Sequence, residues 1–289
     1  MIESGGEDAL RRYMKTMYVD AVKENIVWIE AAAPALRLDE DGKEVDDSRY
    51  KMILKVWREL EKEYKGKVSL RFILPHPKSP AEAKTVLAWI KALGDDDAIS
   101  IVGFGAWGSE DSAAESKEVF EMLRDAGYPI ICHHAGEYLS KGDEEKRSTG
   151  NMWASLRFAK AERIGHGICA VTDEKLIAEL KEKGVCLEVC PLSNRMLTYI
   201  PNGLRSHPLR KLFDAGIPCT LGSDDPGFFG TSVNAHSLNR EYLIVRHFLG
   251  FTDKQLATLA RNSITYSKAP AKLKERALAQ IDVWLDGGC

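Results

Sequence analysis

The sequence predicts an α/β protein whose parallel strands form a TIM-type (β/α)8 barrel. Short runs of Val, Ile and Leu, typical of strands buried on both faces, recur along the chain. Segments with helical spacing separate most of these runs, and repeated strand–helix units favour a parallel sheet. The sequence contains no glycine-rich phosphate turn of the kind that an open dinucleotide-binding sheet needs, so a closed barrel is the better prediction.

Seven apolar runs are candidate strands, whereas a closed barrel of this type has eight. In chain order they are residues 25–33, 68–75, 99–105, 129–134, 163–168, 185–191 and 218–225. A helical stretch at 9–24 precedes the first run, so the chain begins with a helix. We therefore expect a single barrel domain over residues 1–289 that is incomplete at its N-terminus and lacks the first strand.

Helical spacing predicts the elements that connect these strands. The predicted helices are residues 48–64, 80–93, 116–127 and 173–184, and the last two end in Gly, a common helix stop. The polar run at 38–48 is predicted to be a solvated loop, and the tail from about residue 250 predicts two or three closing helices.

Composition narrows the class of protein. The chain has 289 residues, of which 44% are apolar and 29% charged, and a formal net charge of −3. This balance argues against nucleic acid as a partner, which would favour a basic stripe. No N-terminal apolar segment or stretch of about 18 apolar residues predicts a signal peptide or membrane helix, so we expect a cytoplasmic protein. The six cysteines then predict buried thiols in a reducing compartment.

Polar residues stand at the carboxyl ends of four predicted strands. They are His134, Glu137, His166, Ser193, Asn194, Asp224 and Asp225. In a parallel barrel these ends open on one rim, so the side chains could converge in one pocket. Each residue also has a purely structural interpretation, such as a helix cap for an Asp. However, the adjacent carboxylates of Asp224 and Asp225 repel each other unless a donor or cation separates them, which favours a metal ion there.

Four short motifs resemble the metal-dependent adenosine deaminase family, which includes adenine and AMP deaminases. They are HAGE (134–137), RIGHG (163–167), CPLSN (190–194) and SDDP (223–226), in this order. The resemblance spans roughly residues 15–280 and implies an amidohydrolase-like barrel that deaminates a purine with one zinc ion per chain. The HxE…PCxxC signature of the cytidine-type deaminases does not occur in this sequence.

The resemblance also implies a role for each matched residue. His134 and Asp224 would be zinc ligands. Glu137 would donate a proton to purine N1, and His166 would orient the hydroxide nucleophile. These residue types suit the reaction, because zinc lowers the pKa of water to about 7 and a protonated Glu cancels charge that develops on N1. Such a Glu needs a raised pKa, which we expect a half-buried rim position to provide.

Two further residues are matched to purine binding. Asp225, the second Asp of SDDP, would bind purine N7. Gly108, in VGFGAWGSE (102–110), would offer its backbone N–H to the purine. The family often has an Asp where Gly105 stands here, so the Gly108 match is the looser one.

The sequence departs from the family pattern at the metal site. The family's first strand carries an HxH pair whose histidines both bind zinc, and this sequence contains no HxH. His76 stands alone, His133 and His134 are adjacent and so point to opposite faces of a strand, and His236 is the least implausible substitute. A catalytic zinc normally has three protein ligands, so we expect weak zinc binding and poor stability. The seam left by the missing strand would also invite oligomerisation.

Three functions remain open at this point. The first is zinc-dependent deamination of a purine nucleoside, most readily adenosine or deoxyadenosine, with adenine or AMP as other substrates. The second is a non-catalytic purine-binding or interaction protein on the same barrel, which the missing HxH favours. The third is an unrelated barrel hydrolase with chance motifs. No dense basic cluster predicts a phosphate site, although Arg163, Arg195 and Arg205 could lie near the rim, so a nucleoside ranks above a nucleotide.

Overall fold

The structure is a computed structural model. It describes residues 2–39, 41, 43, 45–106, 116–139, 143–197, 200, 202–224 and 237–287. Within these ranges, every helix is too short or too polar to cross a lipid bilayer. The chain divides into two compact units, one of residues Met1–Gly105 with Glu118–Pro129 and the other of Ala106–Lys117 with Ile130–Cys289.

Among its described residues, the first unit contains three parallel strands, a short antiparallel strand pair and several helices. Its elements are α1 (Ile2–Lys23), β1 (Trp28–Ala32), β2 (Arg37–Leu38), β3 (Val45–Asp46), α2 (Ser48–Glu63), β4 (Ser69–Pro75), α3 (Pro80–Ala92), α4 (Asp95–Ala98), β5 (Ile101–Ala106) and α5 (Lys117–Asp125). Strands β1, β4 and β5 pair in parallel in that order. Strands β2 and β3 form an antiparallel pair. The prediction of a loop over 38–48 is therefore wrong at Leu38 and at Val45–Asp46, which are strand residues.

Helix α2 shows how an amphipathic helix covers a parallel strand in this unit. Its buried face is Tyr50, Ile53, Leu54, Val56, Trp57 and Leu60. The Trp57 indole N–H donates to the Leu70 carbonyl at 2.8 Å, which joins the helix to β4. Arg71 lies over the Trp57 ring and forms an ion pair with Glu61 at 2.9 Å. Apolar burial and these polar contacts therefore fix α2 against β4.

The second unit contains four parallel strands and ten α-helical or shorter helical segments among its described residues. Its elements are β6 (Ile130–Ala135), α6 (Asp143–Ala154), a π-helical turn (Ser155–Ala159), β7 (Arg163–His166), a 3₁₀ turn (Ile168–Thr172), α7 (Glu174–Lys183), β8 (Cys186–Val189), α8 (Pro191–Met196), a second 3₁₀ turn (Leu204–Ser206), α9 (Leu209–Asp214), β9 (Cys219–Leu221), α10 (Leu238–Leu249), α11 (Asp253–Tyr266) and α12 (Ala271–Leu285). β6, β7, β8 and β9 pair in parallel in sequence order, so their carboxyl ends share one edge.

The predicted parallel α/β architecture is confirmed. Each of the seven apolar runs overlaps one of the seven parallel strands of the described residues, and two strands extend one residue beyond their runs. The predicted helices correspond to α2, α3, α5 and α7, and the tail beyond residue 250 forms α11 and α12. Four cysteine side chains, Cys169, Cys186, Cys190 and Cys219, are free and buried as predicted.

The last strand is covered by helix α11. The Asn262 side-chain amide donates to the Cys219 carbonyl of β9 at 2.9 Å. All three residues of β9 are buried. This contact gives a backbone acceptor of β9 a partner from a helix, which stabilises the strand.

Candidate functional site

The first pair of site residues lies at the end of β6 in the second unit. His134 is the next-to-last residue of the strand, and Glu137 follows two residues beyond its end. Gly136 makes the turn between them with a φ of 76°, and a Cβ there would lie 2.4 Å from the Met152 sulfur. Because only Gly fits this turn, the chain can bring the Glu137 carboxylate to 3.1 Å from His134 Nε2.

His166 joins this pair from the end of the neighbouring strand β7. Its ring is nearly perpendicular to that of His134, with 4.6 Å between the ring centroids. Its Nδ1 lies 3.8 Å from Glu137 Oε1. The backbone of His166 has a φ of 64°, a left-handed conformation that is rare for a residue with a side chain. Such strain clusters at functional sites, and here it sets the direction of a buried imidazole.

Asp224 follows β9 and also has a left-handed backbone, with a φ of 56°. Its Oδ2 accepts a hydrogen bond of 2.6 Å from the hydroxyl of Ser193, which is fully buried on α8. Ligand atoms of Asp224, His166 and Cys190 lie within 4.8 Å of one another. His134, Glu137 and His166 form a second such group, so His166 is common to both.

Two opposing effects act on the protonation of Glu137. Burial alone would raise the pKa of this carboxyl, but the hydrogen bond with His134 and the nearby charges of His166 and His134 hold it below its ordinary value. The raised pKa expected from burial is therefore wrong for this arrangement, because both histidines face the carboxylate. Burial lowers the pKa of His166 in turn, although the charges of Glu137 and Asp224 act in the opposite direction.

Several sequence-predicted residues lie outside this cluster or outside the described residues. Gly108, Asp225 and His236 are not among the described residues, so their roles remain predictions. Arg163 is the first residue of β7 and therefore lies at the strand end opposite His166. Its guanidinium is held by Glu188 at 3.3 Å, so the prediction that Arg163 lies near the rim is wrong.

Helix α8 supplies contacts that the sequence did not reveal. Glu241 of α10 is fully buried, and its carboxylate accepts a hydrogen bond of 3.2 Å from the Leu192 N–H. Asn194, the neighbour of Ser193, contacts His166, and His207 contacts Asn194 from behind. His207 and Glu241 belong to no motif and follow no strand, so no sequence signal could have identified them.

The donor set fits a zinc ion. Imidazole, carboxylate and thiol groups, all of which zinc accepts, lie together around His166. His134 and Asp224, the two ligands predicted from the sequence, occur in separate groups that share His166. Two histidines, two carboxylates and a thiol at one edge of the sheet thus offer the ligand types of a catalytic metal centre.

Comparisons with known proteins show the family of this chain. The sequence profile of the family "Adenosine deaminase" matches residues 5–284. An adenine deaminase of Rhizobium meliloti is 34% identical over 220 residues, which cover 71% of this chain and 63% of that protein. An adenosine deaminase of Plasmodium vivax is 40% identical over 133 residues, which cover 46% of this chain and 35% of that protein. The chain thus spans less than two thirds of the length of these relatives.

The fold is also shared with solved structures. An amidohydrolase from Burkholderia ambifaria, crystallised with bound zinc, superposes with a TM-score of 0.75 at 20% identity. The match covers 97% of this chain and 75% of that one. At this identity the likeness concerns the fold alone, and it confirms the predicted barrel class.

Proposed function

Because the chain belongs to the adenosine deaminase family, we propose that it catalyses the zinc-dependent hydrolytic deamination of a purine nucleoside. Adenosine and deoxyadenosine are the preferred substrates in this proposal, and the products are inosine or deoxyinosine and ammonia. The observation that carries the proposal is the convergence of His134, Glu137 and His166 at adjacent strand ends. Asp224 lies beside the same His166.

Glu137 is the proton donor of the proposed reaction. Attack at purine C6 breaks the aromatic system and places negative charge on N1, which a nearby carboxylic acid neutralises. Glu137 has to be protonated for this step, whereas the two histidines now lower its pKa.

His134 and Asp224 are the proposed zinc ligands. Bound zinc supplies a Lewis acid that makes water a strong nucleophile at neutral pH. The hydrogen bond from Ser193 holds one oxygen of Asp224 in place, so the carboxylate is oriented before a ligand arrives. His166, buried between Glu137 and Asp224, orients the attacking oxygen.

Two alternatives have specific support. A relative named adenine deaminase favours adenine as the substrate, and the same ring chemistry extends to AMP. The lack of an HxH pair in the sequence favours a protein that binds a purine without turnover. A panel of substrates separates these alternatives, since each predicts a different set of products.

The test is a spectroscopic deamination assay of the 289-residue chain with added zinc. Adenosine, deoxyadenosine, adenine and AMP are assayed separately, and we expect turnover of adenosine and deoxyadenosine above that of adenine and AMP. Glu137→Gln should lower kcat by about 10²–10⁴-fold, because the amide cannot supply the proton. Glu275→Gln, at an exposed position of α12, is the matched control and should keep the wild-type rate. Purine binding with no turnover under any of these conditions would overturn the proposal in favour of the non-catalytic alternative.

A further inference from the structure

A chain of three polar contacts lies behind His166. The backbone N–H of Leu209 donates to His207 Nδ1 at 3.1 Å. His207 Nε2 lies 3.2 Å from Asn194 Oδ1, and Asn194 Nδ2 lies 3.5 Å from His166 Nδ1. The three side chains are buried, with exposed fractions of 3% for His207, 0% for Asn194 and 5% for His166.

The backbone fixes the direction of this chain of contacts. A peptide N–H can only donate, so His207 Nδ1 is an acceptor and the proton of the neutral ring is on Nε2. The Nε2–H group then donates to Asn194, so the amide atom that faces His207 is the oxygen Oδ1. The NH₂ group of Asn194 therefore faces His166. That NH₂ group can only donate, so His166 Nδ1 has to accept.

We infer that His207 and Asn194 are positioning residues that hold His166 in the tautomer protonated at Nε2. The tautomer itself follows from these contacts, and only its effect on catalysis rests on the proposed function. In this tautomer His166 donates a hydrogen bond at Nε2 and takes up no proton there. His166 then orients the attacking oxygen by donation and is not the group that accepts its proton.

Glu137 is the group that competes with Asn194 for His166 Nδ1. A carboxylate oxygen beside Nδ1 would favour a proton on that nitrogen, which is the opposite tautomer. Glu137 Oε1 is 3.8 Å away, beyond hydrogen-bond range, whereas the Asn194 amide nitrogen is 3.5 Å away, at the outer limit of that range. Asn194 is also anchored by His207 and the peptide of Leu209, so the geometry favours the tautomer with Nε2–H.

The direct test is the tautomer of each histidine, measured by long-range ¹H–¹⁵N correlation on the full chain labelled with ¹⁵N-histidine. His166→Gln and His207→Gln identify the two residues by the loss of their signals. We expect both residues in the wild-type chain to carry the proton on Nε2 at neutral pH. A proton on Nδ1 of His166 in the wild-type chain overturns the inference.

Three variants separate positioning from a merely structural role. Asn194→Asp replaces the amide donor with a carboxylate that can only accept, so we expect the His166 proton to move to Nδ1. His207→Leu removes the donor that orients Asn194, and His166 should lose its single tautomer. His207→Gln keeps an N–H donor at this place and should restore the wild-type His166 signal. His247→Gln, on the exposed side of α10, is the matched control and should leave the spectrum of His166 unchanged.

Turnover then gives a second readout. Asn194→Asp and His207→Leu should lower kcat by about 10–100-fold with little change in KM, and His207→Gln should recover most of the loss. If the tautomer responds as expected but no variant or wild-type chain deaminates a purine, the inference stands and the proposed function fails. If the wild-type chain deaminates purines and the His166 tautomer is unchanged in Asn194→Asp, the inference fails and the proposed function stands.

Discussion

The hydroxyl of Ser193 donates a hydrogen bond of 2.6 Å to Asp224 Oδ2, although the two residues are 31 positions apart. Ser193 is fully buried on α8, and Asp224 is exposed in a left-handed backbone conformation just after β9. One carboxylate oxygen of the proposed zinc ligand therefore has a fixed partner in the protein. Replacing a side chain that orients a metal ligand in this way typically lowers metal affinity or activity by about 10–100-fold.

Replacing Ser193 with Ala should affect the site more than the fold. Without the hydroxyl, Asp224 keeps its charge but loses its fixed orientation, so kcat and zinc affinity should each fall by about 10–100-fold. The free energy of unfolding should fall by only about 1 kcal/mol, because one hydrogen bond is lost. Ser206→Ala, at an exposed position of the same region, is the control. A Ser193→Ala enzyme with wild-type zinc affinity would show that this hydrogen bond does not position Asp224.

The carboxylate of Glu241 should stabilise helix α8. It is fully buried and accepts the Leu192 N–H, one of the donors that the start of α8 leaves without a helical partner. Glu241→Ala leaves this buried N–H unsatisfied, so urea denaturation should show a loss of about 1–3 kcal/mol. Glu241→Gln keeps an acceptor oxygen and should lose less. Equal losses in the two variants would mean that this hydrogen bond contributes nothing.

Acid should destabilise the chain through His207. Burial lowers the pKa of His207 to about 3 in the folded chain, whereas the unfolded chain has a pKa of about 6.5. Between these values the unfolded chain binds more protons than the folded chain. The free energy of unfolding therefore falls as the pH is lowered below about 6.5, by up to about 1.4 kcal/mol per pH unit from this residue.

The His207→Gln variant separates the pH dependence of stability caused by His207 from that caused by the carboxylates of the chain. His207→Gln has no titrating group at this place, so its stability should fall less steeply between pH 6 and pH 4 than that of the wild-type chain, by about 1 kcal/mol per unit. Above pH 7 the difference between the two chains should be constant, because His207 is then neutral in both states. Parallel stability curves from pH 7 to pH 4 would contradict a neutral, buried His207.

The buried cysteines should react only when the chain unfolds. Burial raises the pKa of the Cys219 thiol to about 12 and also raises the pKa values of Cys186 and Cys190. The thiolate is the reactive form, so labelling by a maleimide at pH 7 should be slow at these positions in the native chain and complete in denaturant. Mass spectrometry of labelled peptides gives the rate for each position. Fast native labelling of Cys219 would show that β9 is open to solvent.

The sequence predicted the parallel strands well because their signal is local. Runs such as 185–191 are apolar on both faces, and β8 (Cys186–Val189) lies inside that run. The residues at strand ends were also predictable, since a parallel sheet brings its carboxyl ends to one edge. His134 and Glu137 lie close to His166 for this reason, and so does Asp224.

Elements that depend on tertiary contacts could not be predicted in this way. Helix α8 has only six residues, too few to show a helical period, yet it carries both Ser193 and Asn194. The partner of Asn194, His207, is 13 positions away and reaches it only through the path of the chain between α8 and α9. The pKa of Glu137 was predicted with the wrong sign because burial is visible in a sequence pattern and the facing histidines are not.

The zinc dependence of deamination is the most direct test of a zinc-centred purine site at Asp224. The chain is freed of metal with a chelator and assayed with adenosine while zinc is added back, in parallel with Asp224→Asn and His247→Gln. We expect no turnover without metal, and recovery on addition of zinc in the wild-type chain and in His247→Gln. Recovery should be weakened at least about 10-fold in Asp224→Asn, because the variant lacks a charged ligand. Full turnover of the metal-free chain, or wild-type recovery of Asp224→Asn, would contradict a zinc-centred purine site at Asp224.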